Sequence, residues 1–223
     1  MDPRERFAEL VAGSEAAIPL DEAALAIAAT AQPGLEVATY LSKLDALAAG
    51  CRTPTLDGLI AHMFRRDGFI GEVSHYYDPR NSFLNYVLDR RRGIPITLSI
   101  VTMEVGRRLG VPTAGVGLPG HFLLRDKVDP AVFVDPYHHG RLLDAEDCER
   151  LWRRQAGGDG EFSVDWLEPL GKRSILARVL GNLKSIYTAH RDLAALRWVM
   201  ALRCSIPGVD EHQEFARLMG PLN

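Results

Sequence analysis

Through most of the first seventy residues, apolar positions recur every three or four residues, the mark of amphipathic helices. Residues 20–31, "LDEAALAIAATA", form an Ala-rich apolar body with Asp21 placed to cap it, and Pro33-Gly34 breaks the pattern. In "LEVATYLSKLDALAAGC", Val37, Leu41, Leu44 and Leu47 share one stripe and Gly50 ends it. "TPTLDGLIAHMFRRDGF" predicts a third helix with Leu56, Ile60 and Phe64 on one side. A turn at Asp78-Pro79 precedes another helix that turns Phe83, Leu84, Val87 and Leu88 inward. The stretch 95–109 differs from all of these. It is apolar almost all round, and a helix without a wet face is a buried one. Arg107, Arg108 and Gly110 give it a good C-terminus.

After Gly110 the period shortens. "TAGVGL", "HFLLR", "AVFVD" and "GRLL" read as short strands separated by Pro and Gly, as in an antiparallel meander. "DAEDCERLWRRQ" returns to a helix with an acidic first turn, and "GGDGE" (157–161) reads as a flexible loop. From Lys172 onward the helical period holds on two faces. Ile175, Val179, Leu183 and Ile186 make one; Leu193, Leu196, Val199 and Met200 make the other, with "AHRD" between them. The order predicts an α+β fold rather than a parallel βαβ sheet. Three regions are expected: helical 1–70, a mixed core at 71–168, and a helix pair at 169–223. That pair looks like a single tetratricopeptide unit, too few repeats for a solenoid.

Composition narrows the function classes. The 223 residues, 47% hydrophobic and 25% charged, suffice for one large domain or one domain with a small appendage. A net charge of −3 gives no strongly basic face, so nucleic acid is not an expected partner. The best apolar run, "AALAIAATA", is too short to span a membrane, and "MDPRERFAEL" has neither the charge nor the apolar core of a signal peptide. The cytoplasm is the expected compartment. Cys51, Cys148 and Cys204 are odd in number, widely spaced and without CxxC spacing, which argues against a disulfide framework or structural zinc. Oligomeric state is not indicated.

The stretch "YYDPRNSFLNYVLDRRRGIPITLSIVTMEVGRRLGVPTAGVGLPGHFLLR", followed by "VDPYHHGRLL", resembles the SirB1 family. That family is a branch of the transglutaminase-like superfamily, whose fold is related to papain-like cysteine proteases. The resemblance runs over nearly the whole chain, including the flanking helices; members often continue further at the C-terminus. It implies a transglutaminase-like core: a buried helix on a short antiparallel sheet, with helical N- and C-terminal flanks. In the superfamily the buried helix starts on a nucleophilic Cys, with a His on the next strand and an Asp on the one after. Helix-start N–H groups stabilise the thiolate, the His takes its proton, and the Asp fixes the His tautomer. Matched by motif, the His falls on His121, the Asp on Asp135 and the Cys on Pro95, between Ile94 and Ile96, which are no better nucleophiles. Proline suits a first helical turn, because its missing N–H is not needed there. The thiol mechanism therefore does not transfer.

Each candidate carries a plainer alternative. His121 and Asp135 form either a dyad over a cleft or a hydrogen bond tying two strands, and Pro119-Gly120 favours the cleft. Thr97 and Ser99 are expected to bond their own helix's carbonyls rather than replace the thiol. His138-His139, with His121, Asp135 and His75, invite a metal reading, but a polar turn before Gly140 fits better; no metal or cofactor is expected. The cysteines read as small buried or half-buried side chains. The basic run at 89–93, including Arg92, is a solvated face or an anion site before a helix start. Arg80 and Asn81 either shape the same mouth or serve locally, while Ser82 is expected to cap the next helix. The leading expectation is a thiol-deficient binding or regulatory protein holding a protein or small-molecule ligand in the cleft. The alternative is a hydrolase or acyltransferase with His121 as general base, oriented by Asp135.

Overall fold

The apolar stretch at 95–109 is the axis of the molecule. In the computed structural model, which describes residues 1–156 and 160–219, it forms helix α6 (Pro95–Leu109) and is buried along most of its length. Around it pack α2 (Leu20–Ala31), α3 (Val37–Gly50) and α5 (Leu84–Arg90), and α1 (Pro3–Ala12) packs on α2. The third helix expected from the sequence is split. A short α4 (Leu56–Ile60) passes into a π-helical turn, Ala61–Arg66, closed by Asp67 N–H to the His62 carbonyl at 2.9 Å. The "GGDGE" loop lies largely outside the described residues.

The four strand signals form the meander they suggest. Strands β3 (Thr113–Val116), β4 (Leu123–Asp126), β5 (Phe133–Asp135) and β6 (Arg141–Leu143) pair antiparallel in sequence order. Alternation assigns their two faces. Leu124 and Val134 join the main core against α6 and α8 (Lys172–His190), whereas Val116, Leu123, Phe133 and Leu143 meet Cys148, Leu151 and Trp152 of α7 (Ala145–Ala156). Each such burial is worth on the order of 1.5–3 kcal/mol. Both faces are covered, so the sheet is rigid backing for the loops at its ends. A second sheet, of only two short strands, was not legible in the sequence: β1 (Ile70–Gly71) pairs parallel with β2 (Arg92–Gly93).

α8 and α9 (Leu193–Ser205) form the expected antiparallel pair, with Arg191 in the left-handed region and Asp192 capping α9 through the Ala195 N–H at 2.9 Å. A further helix, α10 (His212–Met219), follows. One apolar cluster runs from Phe7 to Ile206, so both flanks share the core of the central region. The observed architecture is α+β with helical flanks.

Two expected caps are corrected. α2 starts at Leu20 without a side-chain cap, and Asp21 is instead buried against Arg107 and Arg108. Ser82 does not cap α5: it ends a 3-10 turn (Pro79–Ser82), and its buried hydroxyl has no hydrogen-bond partner among the described residues.

Candidate functional site

Two turns bring the His and the Asp together. Leu118–His121 is a β-turn closed by His121 N–H to the Leu118 carbonyl at 2.9 Å. Pro119 stands second, and Gly120 third with φ +77°, which suits the type II turn. His121 thus lies in the turn before β4 rather than on a strand as expected. Asp135 ends β5 and starts the 3-10 turn Pro136–His138.

Asp135 is the hub. Its Oδ1 accepts from His121 Nε2 at 3.0 Å and from the backbone N–H groups of Tyr137 (3.1 Å) and His138 (3.2 Å); its Oδ2 accepts from His138 Nδ1 at 2.7 Å. The carboxylate is 1% exposed. Burial alone would raise its pKa, but the hydrogen bonds and charges of His121 and His138 outweigh burial and hold it below the ordinary carboxylate range. His138 shifts the other way. Its hydrogen bond to Asp135 raises its pKa above the ordinary imidazole value, against partial burial and the charges of Arg141 and Arg154.

The carboxylate also sets the His121 tautomer. An ionised carboxylate only accepts, so His121 Nε2 carries the hydrogen and, in the neutral ring, Nδ1 is left as the acceptor. Gln155 Nε2, at the end of α7, lies 3.3 Å from that Nδ1. The ring is further boxed by Tyr137, edge-on at 6.0 Å between centroids, whose hydroxyl donates to the Glu72 carbonyl at 2.7 Å. A Cβ on Gly71 would come within 2.6 Å of the Tyr137 ring, so only glycine admits this packing.

A cleft of about 250 Å³ opens beside this dyad. Tyr76, Pro95, Gly120, His121, Arg178 and Asn182 line it. Pro95 occupies the first turn of α6 and shares the cleft with the imidazole. The nearby hydroxyls are bonded or buried within the fold. Thr97 Oγ1 donates to the Asn81 carbonyl at 2.8 Å and accepts the Ile94 N–H at 3.2 Å. Ser99 is fully buried, and the expected bond to a helix carbonyl is missing: its hydroxyl has no partner among the described residues. Cys148 is buried, which pushes its thiol up to about 12.

Arg80, Asn81 and Arg92 do not line the cleft. Arg80 is exposed and bound to Asp78, and Arg92 is exposed on β2. Asn81, completely buried, fastens three segments: its Nδ2 donates to the carbonyls of His75 (2.7 Å) and Tyr76 (3.2 Å), and its Oδ1 accepts from Arg90 at 2.9 Å. His139 makes a left-handed turn with φ 59°, as a polar turn requires. His121, Asp135 and His138 could in principle chelate an ion, since their ligand atoms lie within 4.8 Å of one another. Such an ion would displace both imidazole–carboxylate hydrogen bonds in the neighbourhood of the cationic Arg141 and Arg154. Tyr137, Gln155, Arg178 and Asn182 give no sign in the sequence of a place at this site, and His138 reads there as part of a polar turn.

A family model described as transglutaminase-like superfamily matches residues 20–181. A UPF0162 protein of Xylella fastidiosa strain Temecula1 is 38% identical over 201 residues, spanning 84% of this chain and 70% of its own. A UPF0162 protein of Pseudomonas aeruginosa is 34% identical over 212 residues, 88% of this chain and 75% of its own. The F-box only protein 21 of Mus musculus is 31% identical over 147 residues, 60% of this chain but 22% of that protein. No solved structure matches the chain significantly.

Proposed function

The chain belongs to the transglutaminase-like superfamily, and on that premise we propose that it is a SirB1-family member without the nucleophilic cysteine, acting as a binding or regulatory protein. The observation that carries this reading is Pro95, which stands in the cleft beside His121 where relatives of the catalytic type would mount a thiol. Proline has no reactive group, and it also removes one N–H from the helix start. On this reading the His121–Asp135 pair is retained as a polar wall for a protein or small-molecule ligand, and Arg80, Asn81 and Arg92 support the loops around it. The helical flanks, including the tetratricopeptide-like pair, enclose the core, and the protein works in the cytoplasm. No helix among the described residues is long and apolar enough to cross a membrane.

The test is exposure of the full chain to iodoacetamide and to p-nitrophenyl acetate. The expected result is no adduct in the cleft by mass spectrometry and no ester hydrolysis above background. A second reading rests on the His121 tautomer: with Nε2 bound to Asp135 at 3.0 Å, Nδ1 is the base available to activate water or a substrate's own nucleophile. Ester turnover that vanishes in His121→Ala, with the fold intact, would replace the first reading by this one.

A further inference from the structure

We propose that the cleft beside Pro95 is a receptor for a small molecule bearing a carboxylate or phosphate group, with Arg178 as the residue that binds the anion. This rests on the binding-protein reading and specifies its ligand.

The argument starts from charge. Arg178 lies on α8, half-buried, and lines the cleft. Burial lowers its pKa, and no acidic group among the described residues acts to raise it again. Arg108, largely buried at the other end of α6, faces three carboxylates; Arg178 forms no ion pair among the described residues, and no acidic side chain among them lines the cleft. Its hydrogen bonds go only to carbonyls: Nη1 to Gly117 at 3.0 Å, and Nη2 to Leu118 at 3.2 Å and His121 at 3.3 Å. A guanidinium has five N–H donors. Three are spent on holding the Leu118–His121 turn, which leaves the Nε hydrogen and one on Nη1. A cation removed from water without a counter-charge is costly, and an oxyanion entering the cleft would supply both the charge and the missing acceptors.

The surroundings agree with that occupant. The amide of Asn182 stands on the next turn of α8, and the His121 ring forms part of the same wall. The guanidinium also lies 5.7 Å from the Phe122 ring centroid, which fixes its plane against the floor of the cleft. Tyr76, which also lines the cleft, is 37% exposed and meets the still more exposed Tyr77 edge-on; an apolar portion of the ligand would rest there.

The probes are inorganic phosphate and sodium acetate, titrated at constant ionic strength into the full-length protein while the His121 ring signals are followed by NMR. The expected result is a saturable shift in the millimolar range with at least one of them. The stronger of the two identifies the ligand as a phosphate ester or a carboxylic acid. Arg178→Gln should weaken binding about tenfold, the size of one lost charge-assisted contact. Because that residue also holds a turn, Asn182→Asp is the second variant. It leaves the turn untouched, places a carboxylate beside the guanidinium, and should weaken binding by at least as much. Arg154→Gln, on the far side of Asp135, should change nothing. The proposal is overturned if neither anion gives a saturable shift, if both cleft variants bind as the wild type does, or if Arg154→Gln abolishes the response. If the anion proposal fails while the protein stays inert toward iodoacetamide and the ester, the binding reading stands and only its ligand class falls.

Discussion

The two ends of α6 treat charge in opposite ways. At its C-terminal end, the buried Asp21 and Glu104 pair with the exposed Arg107 and the largely buried Arg108 in a closed network. Arg108 reaches Asp21 at 2.7 Å, Glu104 at 3.2 Å and the exposed Asp45 at 2.6 Å, and Arg107 reaches Glu104 at 2.8 Å. Arg108 keeps Asp21 below the usual carboxylate range although burial works against it, while burial and the Asp21 charge push Glu104 up. At the N-terminal end, Asp135 is saturated with donors, yet Arg178 pairs with no acid among the described residues and Pro95 has no reactive group. The first end is complete within the chain. The second has charge and donors left over, and this asymmetry separates a structural network from the proposed receptor.

The largest expected effect breaks the closed end. Arg108→Ala removes the main partner of buried Asp21 and the second partner of buried Glu104 and should cost about 3–5 kcal/mol in urea unfolding, with anion binding in the cleft unchanged in whatever fraction remains folded. Pro95→Cys sharpens the open end. A thiol at a helix start beside a polarised imidazole should alkylate about tenfold faster than Cys51 near neutral pH, for a change in stability of under about 1 kcal/mol. Comparable rates would mean that the imidazole does not serve this position.

A smaller effect is read from pH. The Asp135 pKa is depressed on folding, so its contribution is present above about pH 4 and fades as pH falls through the folded value. His138 is raised, so its contribution is full below about pH 6.5 and fades as pH rises through its folded value. His138→Ala should therefore destabilise more at about pH 5 than at about pH 9; its side chain is half-exposed, so solvent keeps the difference small. An equal loss at both values would show that the His138–Asp135 bond does not depend on charge. The smallest effect belongs to the Ser99 hydroxyl. Ser99→Ala removes a buried group that has no partner among the described residues and should be neutral or stabilising by up to about 1 kcal/mol.

What the sequence reveals follows from the range of each signal. The buried character of α6 and the four-strand meander are written in local periodicity, and His121 and Asp135 stand in contiguous motifs. Arg178 and Gln155 act on His121 from 57 and 34 residues away, and nothing in their own neighbourhoods marks them. Arg178 reads as one more polar residue between Ile175 and Val179. The two-residue strands β1 and β2 are too short to show a period. The expected cap at Asp21 failed because Arg107 and Arg108 hold that carboxylate, and the one at Ser82 because a 3-10 turn carries the chain past it before α5 starts at Leu84.

The Asn81 latch has a practical consequence for genetics. One amide fixes the backbone at Tyr76, the end of α5 through Arg90 and, by its own carbonyl, Thr97 in the first turn of α6. Substituting it would shift a wall and the entrance of the cleft together. In a mutational screen Asn81 would therefore score alongside the ligand-contacting positions without touching ligand, and only a direct affinity measurement on the purified variant would separate a hinge pin from a lock.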